Sequence, residues 1–165
     1  MIRDILKQEL KPNEKKWLAL SIARVIVADK KVLKDEIKYL KDAVTFLETK
    51  EELEQVLDFV KKLTVPELKP LSINLKLGTM MLIYVIRAMV RNTKILEVEF
   101  RELISMGKKL SIPDPMIKAI LKWALELSEL NQQEYAFYEW AEHPDKKPLT
   151  EERPGVFNDL LAFNE

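Results

Sequence analysis

The stretch from Leu75 to Val90 constrains the fold more than any other part of the chain. After Gly78, its apolar side chains are interrupted only by Thr79, Tyr84 and Arg87. A helix that is apolar almost all round has to be enclosed by other helices. The stretch is also shorter than the roughly 20 apolar residues that a membrane-spanning helix needs. It therefore predicts the central helix of a helical bundle that does not insert into a membrane.

Charge and composition exclude several classes of function. Lys and Arg together number 27, as do Asp and Glu, so there is no net positive charge to hold nucleic acid or an anionic membrane. The absence of cysteine removes disulfides, thiol nucleophiles and cysteine-ligated zinc. The N-terminus lacks the apolar core and the cleavage site of a signal peptide. We therefore expect a cytoplasmic protein that binds no nucleic acid.

The other segments have the periodicity of amphipathic helices. Apolar residues recur every three or four positions, and no stretch shows the alternation typical of a strand. Besides the central helix, we predict helices at about 2–10, 14–28, 34–47, 50–63, 97–110, 115–127 and 129–142. Pro12 is expected to end or bend the first helix, which packs either on the bundle or on a partner. In the helix after Pro115 we expect an inward face of Met116, Ala119, Ile120, Trp123 and Leu127.

Two parts of the chain are related to each other. Laying residues 22–47 over 85–110, a shift of 63, gives seven identical pairs, where chance would supply about two. The pairs are Arg24/Arg87, Val27/Val90, Lys31/Lys94, Leu33/Leu96, Glu36/Glu99, Leu40/Leu103 and Leu47/Leu110. Each copy spans a helix end, a polar turn and the next helix. We predict an all-α bundle of about seven helices, built from two pseudo-repeated three-helix units and followed by a C-terminal extension.

The turn of each copy carries the same arrangement of acidic or amide side chains. Asp29 precedes Glu36 by seven positions, and Asn92 precedes Glu99 by the same interval. Such a turn, occurring twice in an all-helical domain of this size, resembles the TerB-like family, which is named after a tellurite-resistance protein and includes a domain of DjlA-type co-chaperones. The resemblance covers roughly 12–128. We therefore predict a TerB-like helical domain at 12–128 and a C-terminal helix and tail at 129–165.

The resemblance implies a function and a set of residues. In tellurite-resistance members the acidic turn residues are thought to bind a divalent cation, and their counterparts here are Asp29, Glu36, Asn92 and Glu99. Their oxygen atoms suit a hard ion such as Ca²⁺ or Mg²⁺. The family membership would make this chain a non-enzymatic binding module, linked to the response to tellurite or metal stress.

Departures from the family pattern leave an interpretation without an ion open. The family's turn glycine is replaced by Lys30 and by Thr93, where a left-handed backbone costs on the order of 1 kcal/mol. Asn92 replaces the second aspartate, which lowers the affinity for a cation. Without an ion, the Asp or Asn side chain of each turn accepts hydrogen bonds from backbone amides of the turn. The Glu seven residues later lies at a helix N-terminus, where negative charge is favourable.

The C-terminal segment supports a different hypothesis. Six aromatic residues follow residue 134, namely Tyr135, Phe137, Tyr138, Trp140, Phe157 and Phe163. Either they lock the tail onto the bundle, or they contact an unknown protein partner or a second copy in a homodimer, because exposed aromatics are typical interface anchors. The alternative function is thus a protein-interaction scaffold that has lost the ion site. His143, the only histidine, has no obvious carboxylate or nucleophile partner, so we predict no enzymatic activity.

Overall fold

The described part of the chain forms a bundle of seven α-helices. The computed structural model describes residues 2–30, 34–90 and 95–145, with the backbone alone at 34–36, and no strand occurs among them. The helices are α1 (Ile2–Glu9), α2 (Pro12–Val27), α3 (Lys34–Val44), α4 (Lys50–Lys61), α5 (Leu75–Met89), α6 (Glu97–Lys109) and α7 (Asp114–Glu142). The predicted all-α bundle of about seven helices is confirmed, whereas the pseudo-repeat stays a prediction.

The most enclosed helix is α2 rather than the predicted α5. It packs against α3, α4, α5 and α6, and 11 of its 16 residues are buried. By contrast, α5 packs against α1, α2, α6 and α7 but buries only five of its 15 residues. Its outer face is half-covered at Met80 and Ile83 and exposed at Arg87. The apolar residues of α5 are therefore divided between the core and the surface, because no further helix of the described ranges covers its outer face.

The first helix belongs to the bundle. Leu6 and Leu10 are buried, and α1 packs against α5, which settles the choice between bundle and partner. Pro12 does not end α1 but begins α2, where a missing N–H costs nothing. The backbone N–H of Lys11 donates to Glu14 Oε1 at 2.7 Å, and this bond satisfies a donor at the start of α2.

The segment between α4 and α5 is held along α2 by two side chains. Trp17 Nε1 donates to the carbonyl of Lys69 at 2.8 Å, and Arg24 Nη1 donates to the carbonyl of Val65 at 3.1 Å. Arg24 also donates to both carboxylate oxygens of Glu102 in α6, from Nη2 at 2.9 Å and from Nε at 3.1 Å. Arg24, which is part-buried, therefore holds both this segment and α6 against α2.

The last helix runs without a break through the boundary predicted near residue 128. We predicted two helices, at about 115–127 and 129–142, but α7 is one helix of 29 residues. The sequence around Ser128 contains neither glycine nor proline, so nothing in it stops a helix. All the buried residues of α7 lie in its first half: Ile117, Ile120, Leu121, Ala124, Leu125 and Ser128.

The inward face of α7 also differs from the prediction. Of the predicted set only Ile120 is buried, whereas Met116, Ala119 and Trp123 are exposed and Leu127 is half-buried. The buried face is centred instead on Ile117 and Leu121. Gly107 of α6 explains part of this choice, because a Cβ atom there would lie 2.5 Å from Ile117 Cδ1. The missing side chain lets Ile117 approach the backbone of α6 closely. Within the described ranges, no helix is long and apolar enough to cross a membrane.

Candidate functional site

The first acidic turn follows α2. Asp29 is half-buried there, and Lys30 has a φ of 60° while its N–H donates to the carbonyl of Val27 at 2.9 Å. Lys30 therefore adopts a left-handed backbone, which costs a residue with a side chain about 1 kcal/mol. In the TerB-like pattern described above, this position is a glycine. Glu36 lies in the first turn of α3, and its side chain falls outside the described residues.

The second turn is described only in part. Asn92 lies outside the described residues, so nothing can be measured to it. Glu99 lies in the first turn of α6 and is only 9% exposed, as one of the few buried charged residues of the described chain. A carboxylate at this position faces the positive end of the helix dipole, with or without a cation. The position of Glu99 is therefore compatible with both interpretations.

The convergence of the four predicted ligands stays a prediction. Side chains are described for two of them, Asp29 and Glu99, and these belong to different turns. Among the residues that the structure describes, no group of three or more His, Asp or Glu side chains could hold a metal ion. A site made of Asp29, Glu36, Asn92 and Glu99 would have to include the two side chains that are not described.

The aromatic residues near the end of α7 are exposed. Tyr135 is 73% exposed and Phe137 67%, and Leu130, Tyr138 and Trp140 are exposed as well. Tyr138 makes its hydrogen bond within the helix, to Glu134 Oε1 at 2.7 Å, and that bond raises the pKa of Tyr138. The first alternative, in which these residues lock the tail onto the bundle, is therefore not what the described part shows. Phe157 and Phe163 lie outside it.

A groove along α6 carries basic residues but has no net charge. It encloses about 520 Å³ and is lined by Pro70, Phe100, Arg101, Ile104, Ser105, Lys108 and Lys109. Each cation has an acidic neighbour: Arg101 pairs with Glu97, Lys108 Nζ lies 3.6 Å from Asp114, and Lys109 Nζ lies 3.7 Å from Glu67. The groove therefore presents no uncompensated positive field for an anionic ligand.

The exposed surface that the sequence analysis missed lies on the outer side of α7. Leu130 is 60% exposed and was not singled out, and Met116 and Trp123 were placed inside. The spacing of these residues is visible in the sequence, but the predicted break near residue 128 divided it between two helices.

Comparisons of the chain with protein-family models, with curated proteins and with solved structures find no match in any of the three. The assignment to the TerB-like family rests on the repeat and on the pattern of the two turns, and it stays a prediction.

Proposed function

We propose that this protein is a TerB-like, non-enzymatic binding module that acts through protein contacts made by the second half of α7, residues 129–142. One observation carries the proposal: five large hydrophobic side chains between Leu130 and Trp140 are exposed on a single helix. A concentration of exposed large apolar side chains on one segment is typical of interaction sites, and aromatic residues are frequent anchors of binding energy.

The architecture favours such a role because the second half of α7 is presented on a fixed support. The first half is packed against α5 and α6, so the helix direction is set by the bundle. A binding element that is already helical loses less conformational entropy when a partner docks. The partner's chemistry is constrained too. Residues 129–142 contain four glutamates and no lysine or arginine, so an apolar surface with a basic rim would complement them.

Site-specific photo-crosslinking tests this proposal. A photoreactive phenylalanine analogue at Phe137 should give a discrete protein adduct in cells that express the full chain at its native level. The same analogue at Glu54, an exposed position of α4, is the matched control and should give none. Mass spectrometry of the adduct identifies the partner. If position 137 gives no more adduct than position 54, the proposal is wrong.

We propose a divalent cation at the two turns as a second candidate function. Two observations favour it: Lys30 keeps the left-handed backbone of the family's turn, and the carboxylate of Glu99 is buried at the start of α6. Calorimetric titration of the metal-free protein with Ca²⁺, Mg²⁺, Mn²⁺ and Zn²⁺ tests it. We expect saturable binding that the Asp29→Ala/Glu36→Ala double variant loses and that a Glu51→Ala/Glu54→Ala control retains. Titrations without heat at sub-millimolar metal, together with an unchanged melting temperature, would remove this candidate.

A further inference from the structure

The segment that joins α4 to α5, residues 64–74, is described without a helix or a strand and is called the strap here. Between Thr64 and Ser72 its half-buried residues lie at every third position: Val65, Leu68 and Leu71. The exposed residues between them include Pro66 and Pro70. A repeat of three is the period of a polyproline II helix, which has no internal hydrogen bonds. The strap therefore has the pattern of an extended peptide that lays one face on a surface.

The surface under the strap belongs to α2 and α6, and it bonds the main chain of the strap. On α2, Trp17 Nε1 donates to one carbonyl of the strap at 2.8 Å, and Arg24 Nη1 donates to the carbonyl four residues earlier at 3.1 Å. On α6, the carbonyl of Lys109 accepts the N–H of Leu71 at 3.0 Å. All three bonds are made to main-chain atoms of the strap. Any extended peptide carries such atoms, so these bonds do not require the sequence of the strap.

The spacing of the two donors on α2 fits an extended chain. Trp17 and Arg24 are seven residues apart in the sequence, which is about 10.5 Å along a helix. The carbonyls that they bind are four residues apart, which is about 12 Å along a polyproline II helix. Four residues of an α-helix would span only about 6 Å. The strap thus lies along α2 as an extended chain that runs in the opposite direction to the helix.

The strap also covers the space between α2 and α6. Leu68 lines a small cavity together with side chains of both helices, and Pro70 forms one wall of the groove along α6. Ser105 and Lys109 line both the cavity and the groove, so the two adjoin. Trp17 lies against the cavity and is only 8% exposed with the strap in place. Without the strap, cavity and groove would form one continuous groove between α2 and α6 that exposes an indole ring and its N–H donor.

We propose that α2 and α6 form a binding groove for an extended, proline-containing peptide, and that the strap occupies this groove in cis. The partner is a polyproline II segment of another protein, with apolar residues three positions apart. Its main chain takes the three bonds that hold the strap. Grooves lined by aromatic residues recognise such segments because the stiff backbone loses little entropy on binding. This groove is separate from residues 129–142, so the inference does not depend on the proposed function.

The tether at both ends of the strap sets the conditions for binding. A tethered segment competes at a high effective concentration, so a free peptide binds only the fraction of molecules in which the strap is detached. The apparent affinity for the peptide therefore rises in proportion to that fraction. A substitution that detaches the strap should strengthen the binding of a peptide in trans, although it lies in neither helix of the groove.

Hydrogen exchange of the Trp17 indole N–H tests whether the strap detaches. The strap variant Pro66→Gly/Pro70→Gly should exchange this proton about four to thirty times faster than the wild type, because glycine gives the detached chain more freedom. Pro144→Gly, at an exposed position after α7, is the matched control and should leave the rate unchanged. The signal is assigned by its absence in Trp17→Phe. In each protein with the indole, it should exchange faster than the slowest amides of α2, which report global unfolding. An indole as slow as those amides overturns the proposal.

A synthetic peptide with the sequence of residues 64–73 is the probe for the partner. It should bind the strap variant saturably and slow exchange of the Trp17 indole, and it should bind the wild type about four to thirty times more weakly. A control peptide with serine in place of Val65, Leu68 and Leu71 should bind neither protein. No binding to the strap variant, or equal binding of the two peptides, overturns the proposal. Dimerisation of the strap variant in sedimentation equilibrium, without a response to the peptide, would assign the groove to the strap of a second copy and overturn it as well.

Discussion

The two halves of α7 are rich in apolar residues, yet only one of them is buried. Residues 114–128 pack against α5 and α6 and bury six side chains, including Leu121 and Leu125. Residues 129–142 bury none, although they carry Leu130 and four aromatic residues. Apolar content is therefore not enough to place a segment in a core. A neighbouring surface has to be within reach, and the bundle ends where the second half begins.

Because both halves belong to one helix, they serve as controls for each other. A substitution in the first half changes packing within the bundle. The same substitution in the second half, residues 129–142, changes only contacts made outside the core of the bundle. The four predictions that follow use this contrast, in order of decreasing effect.

The largest effect is expected from truncating leucine in each half. Leu121→Ala should lower the free energy of unfolding by about 2–5 kcal/mol, because Leu121 is fully buried and the change leaves a cavity. Leu130→Ala should change it by no more than about 0.5 kcal/mol, because Leu130 is 60% exposed. Urea unfolding measures both. Equal losses would show that the second half is packed after all.

A pair of arginines related by the predicted repeat extends the contrast to α2 and α5. Arg24→Ala should cost about 1–3 kcal/mol, because Arg24 donates to both oxygens of Glu102 and to the carbonyl of Val65 in a part-buried site. Arg87→Ala should cost at most about 1 kcal/mol, since Arg87 is exposed and, among the residues that the structure describes, its guanidinium interacts with the ring of Trp123 alone. Urea unfolding of both variants measures the difference. A larger cost for Arg87→Ala would contradict the assignment of Arg24 as the anchoring residue.

Replacing Lys30 in the turn after α2 should stabilise the bundle and leave residues 129–142 unchanged. Lys30 has a φ of 60°, so Lys30→Gly should raise the free energy of unfolding by about 1 kcal/mol. Lys30→Ala is the control and should give no gain, because alanine keeps the strain. Hydrogen exchange of the bundle amides should slow in the glycine variant alone. Exchange at residues 129–142 should stay unchanged in both variants. A gain in the alanine variant would mean that the lysine side chain, not the backbone, is the source of the strain.

The smallest effect is a dependence on pH that separates two tyrosines. Burial raises the pKa of Tyr84, and Asp42 raises it further while Arg3 opposes the shift. The folded state thus favours the neutral phenol, and this stabilisation is complete below pH 10 and is lost as the pH rises through the folded-state pKa. Above pH 10, Tyr84→Phe should lose less stability than the wild type. Tyr138→Phe should deviate from the wild type in the same direction but by less, because the bond to Glu134 that raises the pKa of Tyr138 is exposed to solvent. Parallel curves for all three proteins would exclude Tyr84 as the titrating group.

The helices could be predicted from the sequence because each has an amphipathic period and a local start or stop. Thr49 accepts a hydrogen bond from the N–H of Glu52 at the start of α4, as the sequence pattern indicates. The ends of α4 and α6 could not be predicted, because each places a residue other than glycine in the left-handed backbone conformation, which such residues seldom adopt. Leu63 and Ser111, with φ values of 53° and 61°, follow α4 and α6 where glycine is usual.

The candidate sites were predictable to different degrees. The spacing of Asp29 and Glu36, or of Asn92 and Glu99, places each pair around a turn but does not determine whether two turns meet. That depends on how α2 and α5 cross, which no local pattern specifies. For the aromatics after residue 134 the sequence left two alternatives open, because their number on a short segment fits both a core and an interface. The four that the structure describes, between Tyr135 and Trp140, are exposed.

The sequence by itself determined that this protein is helical, where most of its helices lie, and that aromatic residues are concentrated after residue 134. The tertiary structure decided that α7 is one helix, which of its faces is buried, and that α2 rather than α5 is central. The physical reason is that the hydrophobic effect has no direction and favours the burial of either face. Close packing decides between them, as where Ile117 fits against the bare backbone of Gly107 while Met116 and Trp123 are left outside.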